Sequence, residues 1–299
     1  MDDIKIIAAL CIIEDTMQQL GHRSHKLAGV TDAEVLLVAV VSAMYFQNHH
    51  ERTLCVMRGM RYITKPLSVS RFSRRVHQLM REGWLEYIVE VVGEVNAQGE
   101  AFIIDSVPVP VCHMVRARRC RKGINNQDPS LNRLTRAYAR AGTHRYIGKC
   151  KAKKWTFYGW RLHLICTPTG VPVRFQMLPA SFHDLTPIFE LTFGLPKGAK
   201  VYADKGYISA SIKRLLRPAV RRKAEGGVYL VARHRKGMKK ENTFEEWCGL
   251  KLYRHTIESA NSQLESMGIQ RLHARTDAGL SIKVLSSLFA LACKNLFLF

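Results

Sequence analysis

Acidic residues are scarce in this 299-residue chain: 24 Asp and Glu stand against 46 Lys and Arg, leaving a formal charge of +22. Such an excess repels itself unless a polyanion is the usual partner, which points to nucleic acid ahead of an enzyme that merely has a high isoelectric point. The eight cysteines contain no C-x-x-C pair and no regular spacing. That excludes a zinc ribbon and a disulfide framework and leaves reduced thiols as the default. Cys112, His113 and Cys120 have no fourth partner at ligand spacing and are read as incidental. The N-terminus, Met1-Asp-Asp-Ile-Lys, is acidic where a signal peptide is basic. The apolar run at 284–299 is short and interrupted by Lys294 and Asn295, so it reads as a packing helix and not a membrane span. There is no repeat or low-complexity tract, and a hydrophobic fraction of 47% is that of an ordinary globular protein. The length suits two domains.

The basic residues that are present cluster. Between Arg116 and Lys154 Asp128 is the only acid, and this stretch includes Arg118, Arg119, Arg121, Lys151, Lys153 and Lys154. Gly123 to Pro129 within it reads as an exposed turn. The whole run reads as a surface excursion suited to a phosphate backbone. Further clusters lie at 213–223 and 233–240.

Residues 1–98 read as a helical N-terminal domain and 99–299 as an α/β domain. Thr31 with Glu34 forms a capping-box pattern leading into a helix that runs to Phe46. Ser68 or Ser70 caps a later helix in which Phe72, Val76 and Leu79 share one face and Arg71, Arg74 and Arg75 lie on the others. A basic helix following a short helix and a turn fits a helix-turn-helix reader, and equally an amphipathic helix with a solvated basic face. After Gly99 the pattern turns to strands at 101–104, 156–167, 171–178, 199–203 and 228–232. Helices are expected at 184–193, 208–224 and 251–267. Strands alternating with helices imply a mixed sheet.

Two of those strands end on an aspartate, Asp105 and Asp204. A bare buried carboxylate is expensive, so an aspartate at an apolar strand tip calls for a strong partner. Glu258 sits at the edge of a helical stripe formed by Tyr253, Ile257, Ala260, Leu264 and Met267, with Arg254 one turn earlier on its face. Phosphodiester chemistry uses hard cations held by carboxylates from rigid elements. Each acid also has a plain reading, as a turn residue for Asp105 and Asp204 and as a surface ion pair for Glu258. It is the three together, in strand–strand–helix order, that point to a divalent-metal site. Asp184 reads as an N-cap and His163 as a packed or surface histidine. His183 is a candidate to position a phosphate or water. Tyr207 is open between a core role and stacking on a frayed base.

Phe102-Ile-Ile-Asp-Ser-Val-Pro-Val109, Phe157-Tyr-Gly-Trp-Arg-Leu-His163, Pro179-Ala-Ser-Phe-His-Asp184, Ala203-Asp-Lys-Gly-Tyr207 and Arg254-His-Thr-Ile-Glu258 together resemble the catalytic blocks of DDE transposases of bacterial insertion sequences. The branch is that typed by insertion sequence nine-eight-two. The resemblance covers Ala101 to the C-terminus. It implies an RNase H-like mixed sheet flanked by helices, with Asp105, Asp204 and Glu258 as the catalytic, metal-binding triad and Arg254 in support. It further implies Mg²⁺, with Mn²⁺ as a substitute, and cutting and joining of double-stranded DNA at terminal inverted repeats and target. A homodimer on DNA and a cytoplasmic, nucleoid-associated location without membrane contact follow from that reading. Related families carry a tyrosine and a lysine where this chain has Lys251 and Glu265. The remaining alternatives are a non-catalytic DNA-binding protein and an RNase H-like nuclease or resolvase without strand transfer.

Overall fold

The computed structural model describes residues 1–120, 143–150, 154–216, 227–234 and 242–297. Five helices come first: α1 (Asp3–Gln19), α2 (Asp32–Phe46), α3 (His50–Gly59), α4 (Val69–Arg81) and α5 (Trp84–Asn96). The capping box at Thr31 and Glu34 forms as expected, and such a cap is worth about 1 kcal/mol. Between the two candidate caps it is Ser68 that starts α4, accepting from the Arg71 N–H at 3.3 Å. Helix α2 is apolar on every face because it is enclosed on every face; it packs on α1, α3, α4 and the last helix, α9 (Asp277–Leu296). Helix α9 is long and apolar enough to span a membrane by length and composition, but most of it is buried within the protein.

The sheet is built from β1 (Ala101–Cys112), β2 (Ile147–Cys150), β3 (Trp155–Cys166), β4 (Pro172–Pro179), β5 (Lys200–Ala203) and β6 (Tyr229–Ala232). Its order is β2-β3-β1-β5-β6, with β4 sharing the outer edge of β3. The β4–β3–β1 pairs are antiparallel and the β1–β5–β6 pairs parallel. Ile103, Val107 and Val109 face one core, which they share with α2, α9 and α8 (Phe244–Ser266). Phe102 and Ile104 face the other, with α6 (Ile188–Thr192) and α7 (Ala210–Leu216). This mixed sheet flanked by helices, behind a helical N-terminal region, meets the RNase H-like expectation.

Three expected boundaries move. Strand β1 continues well past Ile104, so Asp105 lies inside a strand and not at its tip. The Glu100 carbonyl accepts from the Lys200 N–H on the β5 side. Backbone groups of the same parity point the same way, so Pro108 and Pro110 turn their missing N–H toward that side. There β5 has already ended, at the Ile104–Ala203 pair, and no ladder bond is lost. Helix α6 begins at Ile188 and not at 184, because Pro187 disfavours helical geometry at Thr186. Helix α8 starts seven residues before 251, at a second capping box formed by Thr243 and Glu246. Of the basic helix expected at 208–224, the part to Leu216 is helical from Ala210, and 217–226 lies outside the described residues. The expected turn at 123–129 also lies outside them.

Candidate active site

Parallel pairing of β1 and β5 brings the two aspartates together. The register runs Ala101 with Lys200 through Ile104 with Ala203. Asp105 and Asp204 therefore occupy the next step of two adjacent strands. Asp204 does sit at a strand tip, and its carbonyl accepts from the Tyr207 N–H at 3.0 Å, so it also opens the short turn at Lys205–Tyr207.

The Asp105 carboxyl is deeply buried. Burial pushes it up to about 6, against hydrogen bonds from the Ser106 backbone and Asn261 that pull it down. The charges of Asp184 and Asp204 push it further up. The Asn261 amide donates to Asp105 Oδ2 at 2.7 Å.

Helix α8 lies across β1 and β5 by burying Ile257, Ala260 and Leu264. It approaches β5 closely only because residue 249 is glycine: a Cβ there would stand 2.4 Å from the Tyr202 ring. That ring in turn packs against Tyr253, with centroids 4.9 Å apart. This placement brings Glu258 to the rim of the cleft that holds Asp105 and Asp204, a cavity of about 390 Å³. Earlier turns of the same helix line the cleft with Trp247, Leu250 and Tyr253, and the Lys251 ammonium lies 5.2 Å over the Trp247 ring. Glu258 is more than half exposed, and its Oε1 accepts from Arg254 Nε at 2.7 Å. Among the described residues no three His, Cys, Asp or Glu side chains are gathered closely enough to hold a metal ion. The structure thus pairs Asp105 with Asp204 and puts Glu258 in the same cleft, turned to Arg254.

The donor chemistry fits a hard divalent cation. All three acids offer carboxylate oxygen, and a positive ion would offset the burial and like-charge repulsion that hold Asp105 up. To join such a site Glu258 would have to give up Arg254, and exposed helix pairs of that kind hold by only about 0.3–0.5 kcal/mol.

Asp184 does not cap a helix. Pro187 takes the N-cap position of α6, and Asp184 Oδ1 accepts from Ser106 Oγ at 3.0 Å, with Arg161 Nη1 at 3.8 Å. His163, register partner of Ser106, is fully buried. Its imidazole is pushed down to about 4, chiefly by burial and further by Arg161, while Asp184 opposes. Tyr207 is a buried core residue, which removes it as a base-stacking platform. His183 Nδ1 accepts from the Leu185 N–H at 3.2 Å, so that ring holds a turn. At the two positions that differ from the family pattern, Lys251 covers Trp247 and the Glu265 carboxylate accepts from Gln270 at 2.8 Å.

The basic residues divide. Arg71 and Arg74 are exposed on α4, whereas Arg75 is committed to the Val30 carbonyl at 2.7 Å and to Asp32 at 2.5 Å. Arg118 and Arg119 are exposed on a short 3₁₀ turn, and Lys154 is exposed before β3. Arg121, Lys151 and Lys153 lie outside the described residues. Sequence reasoning passed over Asn261 and the Ser106–Asp184–Arg161 cluster. The only local signal for Asn261 was a polar residue between Ala260 and Leu264 on a buried stripe.

A family model described as "Transposase DDE domain" matches residues 95–277, more than half of the chain. Comparison with curated proteins and with solved structures returns no match.

Proposed function

Because the chain belongs to the transposase DDE-domain family, we propose that it cuts and rejoins DNA at the terminal inverted repeats of an insertion sequence, with Asp105, Asp204 and Glu258 as its catalytic carboxylates. The observation that carries this reading is the register that sets Asp105 beside Asp204 beneath the Glu258 helix. Asp105, Asp204 and Glu258 would hold Mg²⁺, or Mn²⁺ in its place. Bound there, the ion supplies Lewis-acid stabilisation of charge at the scissile phosphate.

The protein's own residues bind and orient the strand. Arg254, released when Glu258 turns inward, is placed to pair with a phosphate oxygen at the cleft rim. The aromatic wall around Trp247 gives the adjoining nucleotide an apolar surface that keeps water from that side. Residues 99–299 form the catalytic domain in this reading and 1–98 the end-recognition domain. Arg71 and Arg74 face DNA from α4, while Arg118, Arg119 and Lys154 carry the phosphate backbone toward the sheet. Two ends cut together call for two protomers, hence a homodimer on DNA, working at the nucleoid in a bacterial cytoplasm. The five motif blocks in order support the branch typed by insertion sequence nine-eight-two.

The test is incubation of the protein with labelled element ends and a target duplex, with and without Mg²⁺. Cleavage at the 3′ ends followed by joining to target is expected. Cutting without joining would indicate a resolvase-type nuclease instead, and metal-independent binding without cutting would overturn the catalytic assignment.

A further inference from the structure

Asn261 is out of place by the ordinary rules of a packed helix face. Its neighbours on the inner side of α8 are Ile257, Ala260 and Leu264, all buried and apolar. Its amide nitrogen donates to Asp105 Oδ2 at 2.7 Å, while its own carbonyl oxygen is buried with no hydrogen-bond donor. A half-used amide inside a protein is unfavourable, and an apolar residue of similar size would avoid that penalty. The amide orientation is fixed by its partner: turned over, it would set a carbonyl oxygen against a carboxylate oxygen. Residues that break packing rules in this way concentrate at functional sites.

We propose that Asn261 is a positioning residue of the carboxylate site, which pins one oxygen of Asp105 and clamps the Glu258 helix to β1. The inference rests on Asp105 and Glu258 belonging to one metal-holding site. Asn261 lies three residues after Glu258 on the same helix, so one hydrogen bond fixes both the aim of Asp105 and the distance of the Glu258 turn from the sheet. With Oδ2 held by Asn261, the Asp105 carboxylate cannot turn freely, and the aim of its remaining lone pairs is fixed with it. The chemistry also explains why the donor is an amide. A lysine or arginine at this position would place a full positive charge against Asp105 and compete with a divalent cation. A neutral amide orients the carboxylate and leaves its charge for the ion. Residues holding a metal ligand in this way typically change affinity or activity ten- to a hundredfold when removed.

The experiment measures Mn²⁺ binding to the full-length chain by calorimetry, for wild type, Asn261→Leu, Asn261→Ala and Asp105→Ala, with melting temperature as the fold control. Leucine removes the amide at nearly constant volume, and alanine stands in where leucine does not fold. Leucine takes the donor from the buried Asp105 Oδ2, so a lower melting temperature is expected whatever the role of Asn261. A residue with only a structural role predicts that the folded variant binds Mn²⁺ as wild type does, whereas the positioning role predicts Mn²⁺ affinity lower by about tenfold or more. The Mn²⁺ concentration needed for half-maximal cleavage rises in step. Affinity within threefold of wild type in the folded variants would overturn the inference. If Asp105→Ala also bound Mn²⁺ as wild type does, the carboxylate site itself would fall; loss in Asp105→Ala alone leaves that site standing and removes only Asn261.

Discussion

Replacing Asp105 by asparagine should stabilise the protein at neutral pH in the absence of metal. The carboxyl stands at about 6 in the folded chain against an ordinary 3.8, raised first by burial. That gap corresponds to about 3 kcal/mol between the two protonation states. The raised value means that the folded state binds more protons than the unfolded state between pH 3.8 and about 6. Stability from this group is therefore fully present below 3.8 and is lost as pH rises through about 6. Asparagine removes the buried charge but exchanges one acceptor oxygen for a donor. That donor faces either Asn261 or the Ser106 N–H, at a cost of about 1 kcal/mol. The net gain is about 2 kcal/mol at pH 7.5, or roughly 4 °C in melting temperature for a chain of this size. The assay is thermal melting from pH 4 to 8 in chelator. The variant should melt above wild type at pH 7.5, and the advantage should vanish near pH 4. Added Mg²⁺ should then raise wild type selectively. A variant that melts at or below wild type at pH 7.5, with a parallel pH dependence, would refute the account of a charge held uncomfortably for a cation.

The remaining predictions separate surface charge from scaffold. Arg71→Ala and Arg74→Ala should weaken binding to element ends and each lower the salt slope by about 1, at unchanged melting temperature, as titrations at several salt concentrations will show. Arg75→Ala should instead lower the melting temperature, by about 1–3 kcal/mol of stability, because the Val30 carbonyl and Asp32 Oδ1 lose their donor, while Asp32 Oδ2 keeps His22. Gly249→Ala gains about 1 kcal/mol of helix propensity. It also drives a methyl group into the packed Tyr202 ring, which costs about 1–3 kcal/mol and lifts α8 from the sheet. Cleavage in that variant should fall further than stability, measured by parallel kinetics and melting.

What could be read ahead of the structure was local. The capping box at Thr31, the cap at Ser68 and the buried stripe of Ile257, Ala260 and Leu264 each depend on residues within two turns, and each is present. The start of α8 was hidden because its first turns expose Phe244, Trp247 and Leu252 and include Gly249, so no apolar stripe marks them. The run of β1 past Ile104 was hidden because nothing local reveals that the edge to which Pro108 and Pro110 turn is open. Asp184 resembled a cap because the Ser106 hydroxyl it accepts from lies 78 residues away. Asn261 was invisible for the same reason, its carboxylate partner standing 156 residues earlier. Asp105, Asp204 and Glu258 stood out by residue type and by the pattern around each. Their meeting in one cleft depends on a parallel pairing and a helix crossing that no short window contains.

The most direct measurement is cleavage of a labelled element end by wild type and by the Asp105→Ala, Asp204→Ala and Glu258→Ala variants, with Mg²⁺ or with chelator, alongside end binding by the same proteins. The expected result is Mg²⁺-dependent cleavage by wild type alone, with end binding retained in all four. Cleavage at the wild-type rate by any one of the three variants, or by wild type in chelator, would contradict the assignment of these carboxylates as one metal-dependent site.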